Sequence, residues 1–276
     1  MRFLLPLILS TLAAAQNPDW FKPFPAHRVI GPVYYVGTAD LACFLITSPQ
    51  GHILINSGDM GSAALIRKSV ESLGFKMSDI KILLTMQGHG DHVAGLADLK
   101  KESGAKFFVT EADKAAVESG GIDDINPRTP ENQYPPVKAD RILKDGETLS
   151  IGHEKLKVHL TPGHTKGSVS YTMAVPENNK NYNVCFANMQ TIVVSPLVNN
   201  PKYPNMVEDY AKGFRVQKAL SCDIFLAAHG SQYGMKEKYK QTYNPETFVD
   251  PDGYKKAVLE YESAYVKRLE AEQAKK

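Results

Sequence analysis

Cysteine is scarce. Cys43, Cys185 and Cys222 are the only three in 276 residues, and no two of them stand at zinc-thiolate spacing. That excludes a thiolate metal site and a disulfide-dense scaffold, while leaving room for one disulfide. Cys43 and Cys185 lie in apolar, strand-like runs at 41–46 and 184–186, where they read as small core residues. An excess of one charge is lacking as well. The 32 Lys and Arg residues are nearly balanced by 30 Asp and Glu, a net charge of +2, and no basic cluster stands out. Nucleic acid and other acidic polymers are thereby poor candidates as partners. Tryptophan occurs once, at Trp20.

A long apolar run is missing too. Residues 3–12 form an apolar stretch too short to serve as a permanent bilayer anchor. With Arg2 before it and Ala13-Ala14-Ala15 after it, this stretch reads as a leader spanning 1–15 and cleaved before Gln16. The expected mature chain is one domain at 16–276, exported to the periplasm.

What the chain does contain is alternation. Segments rich in β-branched and aromatic residues at 33–36, 42–47 and 52–56 predict strands, with Pro49-Gln50-Gly51 turning the chain between the last two. Leu65, Ile66, Val70 and Leu73 fall on one face of a helix stopped by Gly74. Further strands are expected at 80–84, 107–109, 141–143, 148–151, 156–160, 169–173, 184–187 and 224–228. Helices are expected at 94–101, 111–118, 206–220 and 251–275. Strand groups alternating with helices in both halves predict an α/β sandwich. The stretch 120–138 is rich in Gly, Asp, Asn and Pro, lacks periodicity, and is long for a connection. It reads as a lid or binding loop.

The chemistry concentrates in Gln87-Gly88-His89-Gly90-Asp91-His92, directly after the apolar strand at 80–84. Imidazole nitrogens and carboxylate oxygens are zinc's ligands outside all-cysteine sites. The interleaved glycines relieve crowding where neighbouring side chains converge. Two distant histidines have matching settings: His164 in Thr161-Pro162-Gly163-His164 and His229 in Leu226-Ala227-Ala228-His229-Gly230 each follow an apolar strand beside glycine. Either alone is an ordinary histidine. Together with the loop they supply enough ligands for two adjacent metals. His27, His52, His153 and His159 have no such setting and read as structural.

The ordered set His89-Gly90-Asp91-His92, Gly163-His164 and His229 resembles the metallo-β-lactamase superfamily. Tyr34-Tyr35-Val36-Gly37-Thr38, Phe44-Leu45-Ile46, Thr161 to Ser168 and Asn200-Pro201-Lys202-Tyr203-Pro204 are similar to subclass B3 metallo-β-lactamases. Gln87 and Met189 are similar to the Gln-containing, GOB-like branch of that subclass, and the likeness covers most of 20–234. It implies a four-layer αββα sandwich, the metallo-β-lactamase fold, holding one or two Zn2+ ions per chain. Gln87, His89 and His164 would take the first zinc; Asp91, His92 and His229 would take the second. The second site is expected to be the tighter, because the neutral amide of Gln87 is a weaker zinc ligand than imidazole.

The implied reaction is hydrolysis of the β-lactam amide of penicillins, cephalosporins or carbapenems by zinc-activated water, conferring antibiotic resistance. Asp91 would be ligand and water-orienter together, Thr191 and Met189 would contact substrate, and 120–136 would close over it. The expected partner is a small β-lactam, with no nucleic acid, no membrane in the mature form, and a monomeric chain. Two alternatives stand beside this reading: another zinc hydrolase of the same fold (a lactonase, thioesterase or phosphodiesterase) and a non-catalytic exported binding module. The rival thioesterases and phosphodiesterases place a metal-bridging aspartate near the position of Met189, a role methionine cannot fill. The complete Asp91/His92/His229 set argues against the binding module.

Overall fold

The computed structural model describes residues 17–275; the expected leader and its cleavage site lie outside them. Seven strands form the first sheet in sequence order: β1 (His27–Ile30), β2 (Val33–Tyr35), β3 (Phe44–Ile46), β4 (His52–Ile55), β5 (Ile80–Leu84), β6 (Lys106–Thr110) and β7 (Arg141–Leu143). The first four pair antiparallel and the last four parallel. The second sheet holds β8 (Thr148–Ile151), β9 (Glu154–Leu160), β10 (Val169–Glu177), β11 (Lys180–Ala187) and β12 (Ile224–Ala227), ordered β12-β11-β10-β9-β8. Only its β11–β12 pair is parallel.

The alternation of side chains along each strand sets up the layers. In β3, β4 and β5, Leu45, Leu54 and Leu83 face outward. They pack with Ile66 and Val70 of α1 (Ser62–Ser72), Leu99 of α3 (Leu96–Ser103) and Val117 of α4 (Glu111–Glu118). Their neighbours Phe44, Ile53, Ile55 and Leu84 face inward against Val158, Tyr171 and Phe186 of the second sheet. That sheet is covered on its far side by Tyr210 and Phe214 of α5 (Met206–Ala219) and Tyr254, Val258 and Tyr265 of α7 (Pro251–Gln273). Both faces of β4 are buried, so its sequence is a continuous apolar run after His52. The result is the expected helix–sheet–sheet–helix stack.

Two short helices complete the chain, α2 (Gly90–Val93) and α6 (Met235–Lys238). The helix expected at 94–101 begins at Leu96, and α2 before it is a separate turn that carries Asp91 and His92. Strands β10 and β11 extend beyond their apolar segments because Asn178-Asn179 forms a two-residue hairpin turn. Both asparagines sit at positive φ (49° and 62°). Strand β1, with its polar start at His27-Arg28, carries too little alternation to be predicted. The three cysteines are all buried and unpaired, so the disulfide left open by the sequence is not formed.

Phe186 is fully buried, and its ring meets that of Phe44 edge-on at 5.2 Å across the sandwich. Phe186→Ala is expected to lower unfolding free energy by about 3–5 kcal/mol through lost burial and a residual cavity. The urea unfolding midpoint measures this; an unchanged midpoint would mean the two sheets do not depend on that contact.

Candidate metal centre

Strands β4, β5, β9, β11 and β12 finish at one edge of the sandwich, and the loops leaving them meet there. The loop after β5 is fastened before it reaches its first donor. Asn56, at φ 65°, accepts from the Met86 amide (2.9 Å) and donates to Ala42 O (3.0 Å). Tyr171 donates its hydroxyl to Thr85 O at 2.8 Å. After β9, Gly163 takes φ +139°, a conformation that favours glycine, and a Cβ there would lie 2.7 Å from Gln190 Oε1. That buried Gln190 accepts from the His164 amide (2.9 Å) and donates to Thr161 O (2.8 Å), fixing where His164 begins.

The side chains gather into two groups. His89 Nδ1 and His164 Nε2 lie 3.0 Å apart. In the second group His92 Nε2 is 3.2 Å from His229 Nε2 and 3.2 Å from Asp91 Oδ2, and His229 Nε2 is 3.5 Å from that same oxygen. Atoms bonded to one tetrahedral zinc at 2.0–2.1 Å are separated by about 3.3 Å. The Asp91/His92/His229 triangle therefore has the edge lengths of a zinc tetrahedron.

The outward-turned ring nitrogens select the donor atoms. His229 Nδ1 lies 3.1 Å from Asp40 Oδ2, and His164 Nδ1 lies 2.8 Å from Thr191 O and 2.9 Å from its hydroxyl. His89 Nε2 is 3.3 Å from Asp124 Oδ1 but off the hydrogen-bonding line. Acceptors behind a ligating histidine hold the proton on the far nitrogen and leave the near one free for metal. Gln87 is buried, and its Oε1 has no hydrogen-bond partner among the described residues; nor does His92 Nδ1. An unpartnered buried amide oxygen is costly unless something absent satisfies it, and a cation suits both it and the neighbouring imidazoles.

Electrostatics follows from burial and these contacts. Burial opposes the charge on Asp91, yet His92 and His229 hold its carboxyl well below the usual range. Burial, with His89 alongside, pushes His164 down to about 3. Burial also lowers His92. His229 goes the other way: burial opposes its protonation, but Asp40 and Asp91 raise it to about 9.

The sites anticipated from the sequence are not all placed alike. His89, Asp91, His164, Thr191 and His229 line one cavity of 410 Å³, within the size range of small-molecule sites. Gln87 and His92 lie beneath its surface. Met189 is not among the lining residues; it is packed in the core with the apolar residues of both sheets. The long loop is an ordered rim. Asp124, Asn126, Pro127, Arg128, Thr129 and Asn132 line the cavity, and Tyr134 anchors the loop with a hydroxyl that donates to Ala116 O at 3.2 Å. Asp40, Asp124, Arg128 and Trp20 escaped the sequence reading of the site. Asp124 and Arg128 carried the signal of the loop expected to close over substrate, and Asp40 stood out as a charge inside the otherwise uncharged run from Val29 to Ser48.

The metallo-β-lactamase superfamily model matches residues 40–175. Among solved structures, a β-lactamase from Chitinophaga pinensis is 38% identical, with a TM-score of 0.89 over 94% of this chain and 99% of that one. The metallo-β-lactamase GOB-18 from Elizabethkingia meningoseptica is 36% identical, with a TM-score of 0.89 over 93% and 96%. The class B3 di-zinc enzyme LRA-12 from an Alaskan soil metagenome is 39% identical, with a TM-score of 0.87 over 92% and 98%. The hydroxyacylglutathione hydrolase of Brucella anthropi is 34% identical over 137 residues, 50% of this chain; the chain spans less than half (44%) of that curated relative. The chain belongs to the metallo-β-lactamase superfamily, in its class B3 branch.

The raised pKa of His229 has a definite sign. Its folded value of about 9 exceeds the ordinary 6.5, so in metal-free protein its charge stabilises the fold fully below pH 6.5 and ceases to do so as pH rises through 9. His164 acts in a separate window below pH 6.5, where protonation favours unfolding. Chelated protein is expected to lose melting temperature between pH 6.5 and 9.5, and Asp40→Asn to shrink that loss. Equal losses in both proteins would remove Asp40 as the cause.

Proposed function

We propose that the protein is a zinc-dependent β-lactamase that opens the four-membered lactam ring by hydrolysis. The observation that carries the metal assignment is the Asp91/His92/His229 triangle, with edges of 3.2, 3.2 and 3.5 Å. These three would hold one zinc, through Oδ2 and the two Nε2 atoms. His89 Nδ1, His164 Nε2 and the Gln87 amide oxygen would hold the other. When bound, zinc supplies a nucleophile from water at neutral pH and positive charge for the oxyanion that forms on the attacked carbonyl.

The chain's own groups do the rest. Asp91, ionised at neutral pH, orients the attacking water through the oxygen not used as ligand. Asp40 and Thr191 keep His229 and His164 in the tautomers that present Nε2 inward. Trp20 and the rim loop wall off part of the cavity from solvent. Occupation of the second site requires His229 to lose its proton, so zinc affinity rises with pH up to about 9. The leader-like sequence supports action in the periplasm, and no described helix is long and apolar enough to cross a membrane.

The thioesterase reading retains one support, the half-length similarity to hydroxyacylglutathione hydrolase. Similarity along nearly the whole chain to β-lactamases favours the lactam. Zinc-loaded protein is expected to open a cephalosporin, to stop when chelated, and to leave a glutathione thioester largely intact. The reverse preference would overturn the assignment. Asp91→Ala is expected to reduce turnover by at least about 1,000-fold; substantial residual rate would exclude its water-orienting role.

Gln87 gives a separate expectation. Metal analysis should find fewer than two tightly held zinc ions per chain, and Gln87→His should raise that number. Trp20, whose ring centroid lies 5.7 Å from that of His229, offers a fluorescence readout independent of turnover. A full complement of two in both proteins would mean the amide is no handicap.

A further inference from the structure

Arg128 is the only lysine or arginine among the residues that line the cavity. Its position is built. The guanidinium lies flat over Gly90, where a methyl group in place of the glycine hydrogen would collide with Nε, Cζ and Nη2. The residue before Asp91 is thus kept bare by a side chain from another part of the fold. Behind it stands buried Asp59, whose two carboxylate oxygens are each 3.4 Å from Nη2, and the Arg128 amide donates to Gly121 O at 3.0 Å. The side chain is held on the wall of the site with 15% of its surface exposed.

Its hydrogen-bonding capacity is nevertheless mostly unused. A guanidinium has five N–H donors. Here Nη2 reaches Asp59 at 3.4 Å, Nη1 reaches Asn132 O at 3.5 Å, and Nε makes no hydrogen bond among the described residues. All of these contacts are longer than a strong charge-assisted bond. A fixed, underused fork beside the metal ligands is suited to a planar anion of matching geometry.

We propose that Arg128 recognises the carboxylate that β-lactams carry next to the ring nitrogen, and so determines that the site takes anionic lactams. The inference rests on the β-lactamase reading. It also bears on Thr191, the residue expected from the sequence to bind that carboxylate. The Thr191 hydroxyl lies 2.9 Å from His164 Nδ1. As acceptor of that proton it retains a single neutral O–H to offer, whereas Arg128 offers charge and two parallel donors. In the bound state Nε and Nη2 pair with the two carboxylate oxygens through parallel N–H bonds, while the other N–H of Nη2 remains available to Asp59 to keep the fork oriented. Arg128 touches substrate but no breaking bond, so it acts on binding and alignment.

The experiment compares a penicillin with its methyl ester, which removes the substrate's charge and leaves the lactam intact. Zinc-loaded wild type, Arg128→Met and Arg128→Lys are assayed, with zinc content and melting temperature measured on each. Wild type is expected to favour the acid over the ester in kcat/KM by about 10- to 100-fold, the range for a hydrogen-bonded charge pair. Arg128→Met should bring that ratio close to one, chiefly through KM of the acid, and Arg128→Lys should fall between. Equal losses on acid and ester would overturn the inference and leave Arg128 as a brace for the loop. A wild-type ratio near one would overturn it without recourse to any variant. In both cases the β-lactamase reading survives, because ring opening has been seen; wild type that opens neither compound removes that reading and this one together.

Discussion

The protein's architecture is governed by the cost of bringing four imidazoles and a carboxylate within 3.0–3.5 Å of their neighbours at a largely buried edge. Desolvation penalises any charge placed there, and facing lone pairs repel. The chain meets this by placing supporting groups around several of the candidate donors. Asp40 holds His229, Thr191 holds His164, Asp124 stands beside His89, and Ser57 donates its amide to His92 O at 2.9 Å. These braces come from four different connections, so the fold is largely a device for assembling them. The raised His229 and the lowered His164 show the same strain resolved in opposite directions: carboxylates outweigh burial at His229, whereas burial and neighbouring His89 prevail at His164.

The frame was legible because it is written in local patterns. Apolar alternation marked β2 to β12, and periodicity marked α1, α4, α5 and α7, since each of these elements buries one or both faces against an adjacent layer. The candidate metal donors could be proposed for a different reason: His89, Asp91 and His92 are crowded into one loop, and His164 and His229 share a strand-end setting. What could not be read was contact between distant segments. Asp40 and His229 are 189 residues apart in sequence and Arg128 and Asp59 are 69 apart, and nothing local in either stretch announces the pairing. Met189 illustrates the converse. Thr191, two residues on, reaches the cavity while the Met189 side chain packs into the core.

The long rim loop changes meaning in the same way. Its composition suggested a lid or binding loop; Asp124, Tyr134 and Val137 within it are buried, and Gly120 and Gly121 at its base are both at positive φ. Polar composition here serves the interior of the site: the loop contributes an acid to one histidine, a cation to the cavity, and backbone bonds to itself. A hydrophobic sequence could have packed as well but could not have supplied those charges.

The donors come from both sheets: Gln87, His89, Asp91 and His92 leave β5 of the first, whereas His164 and His229 leave β9 and β12 of the second. Each ion, as assigned, bridges the two halves of the molecule. A bound ion would then be a cross-link between layers already joined by apolar packing and by hydrogen bonds such as Tyr171 to Thr85 O, and its binding free energy would be shared with the docking of one half on the other. With the ions bound as proposed, metal supply in the compartment where the chain folds would act on the folded population as well as on turnover, so zinc starvation would deplete the protein itself before any inhibitor reached it.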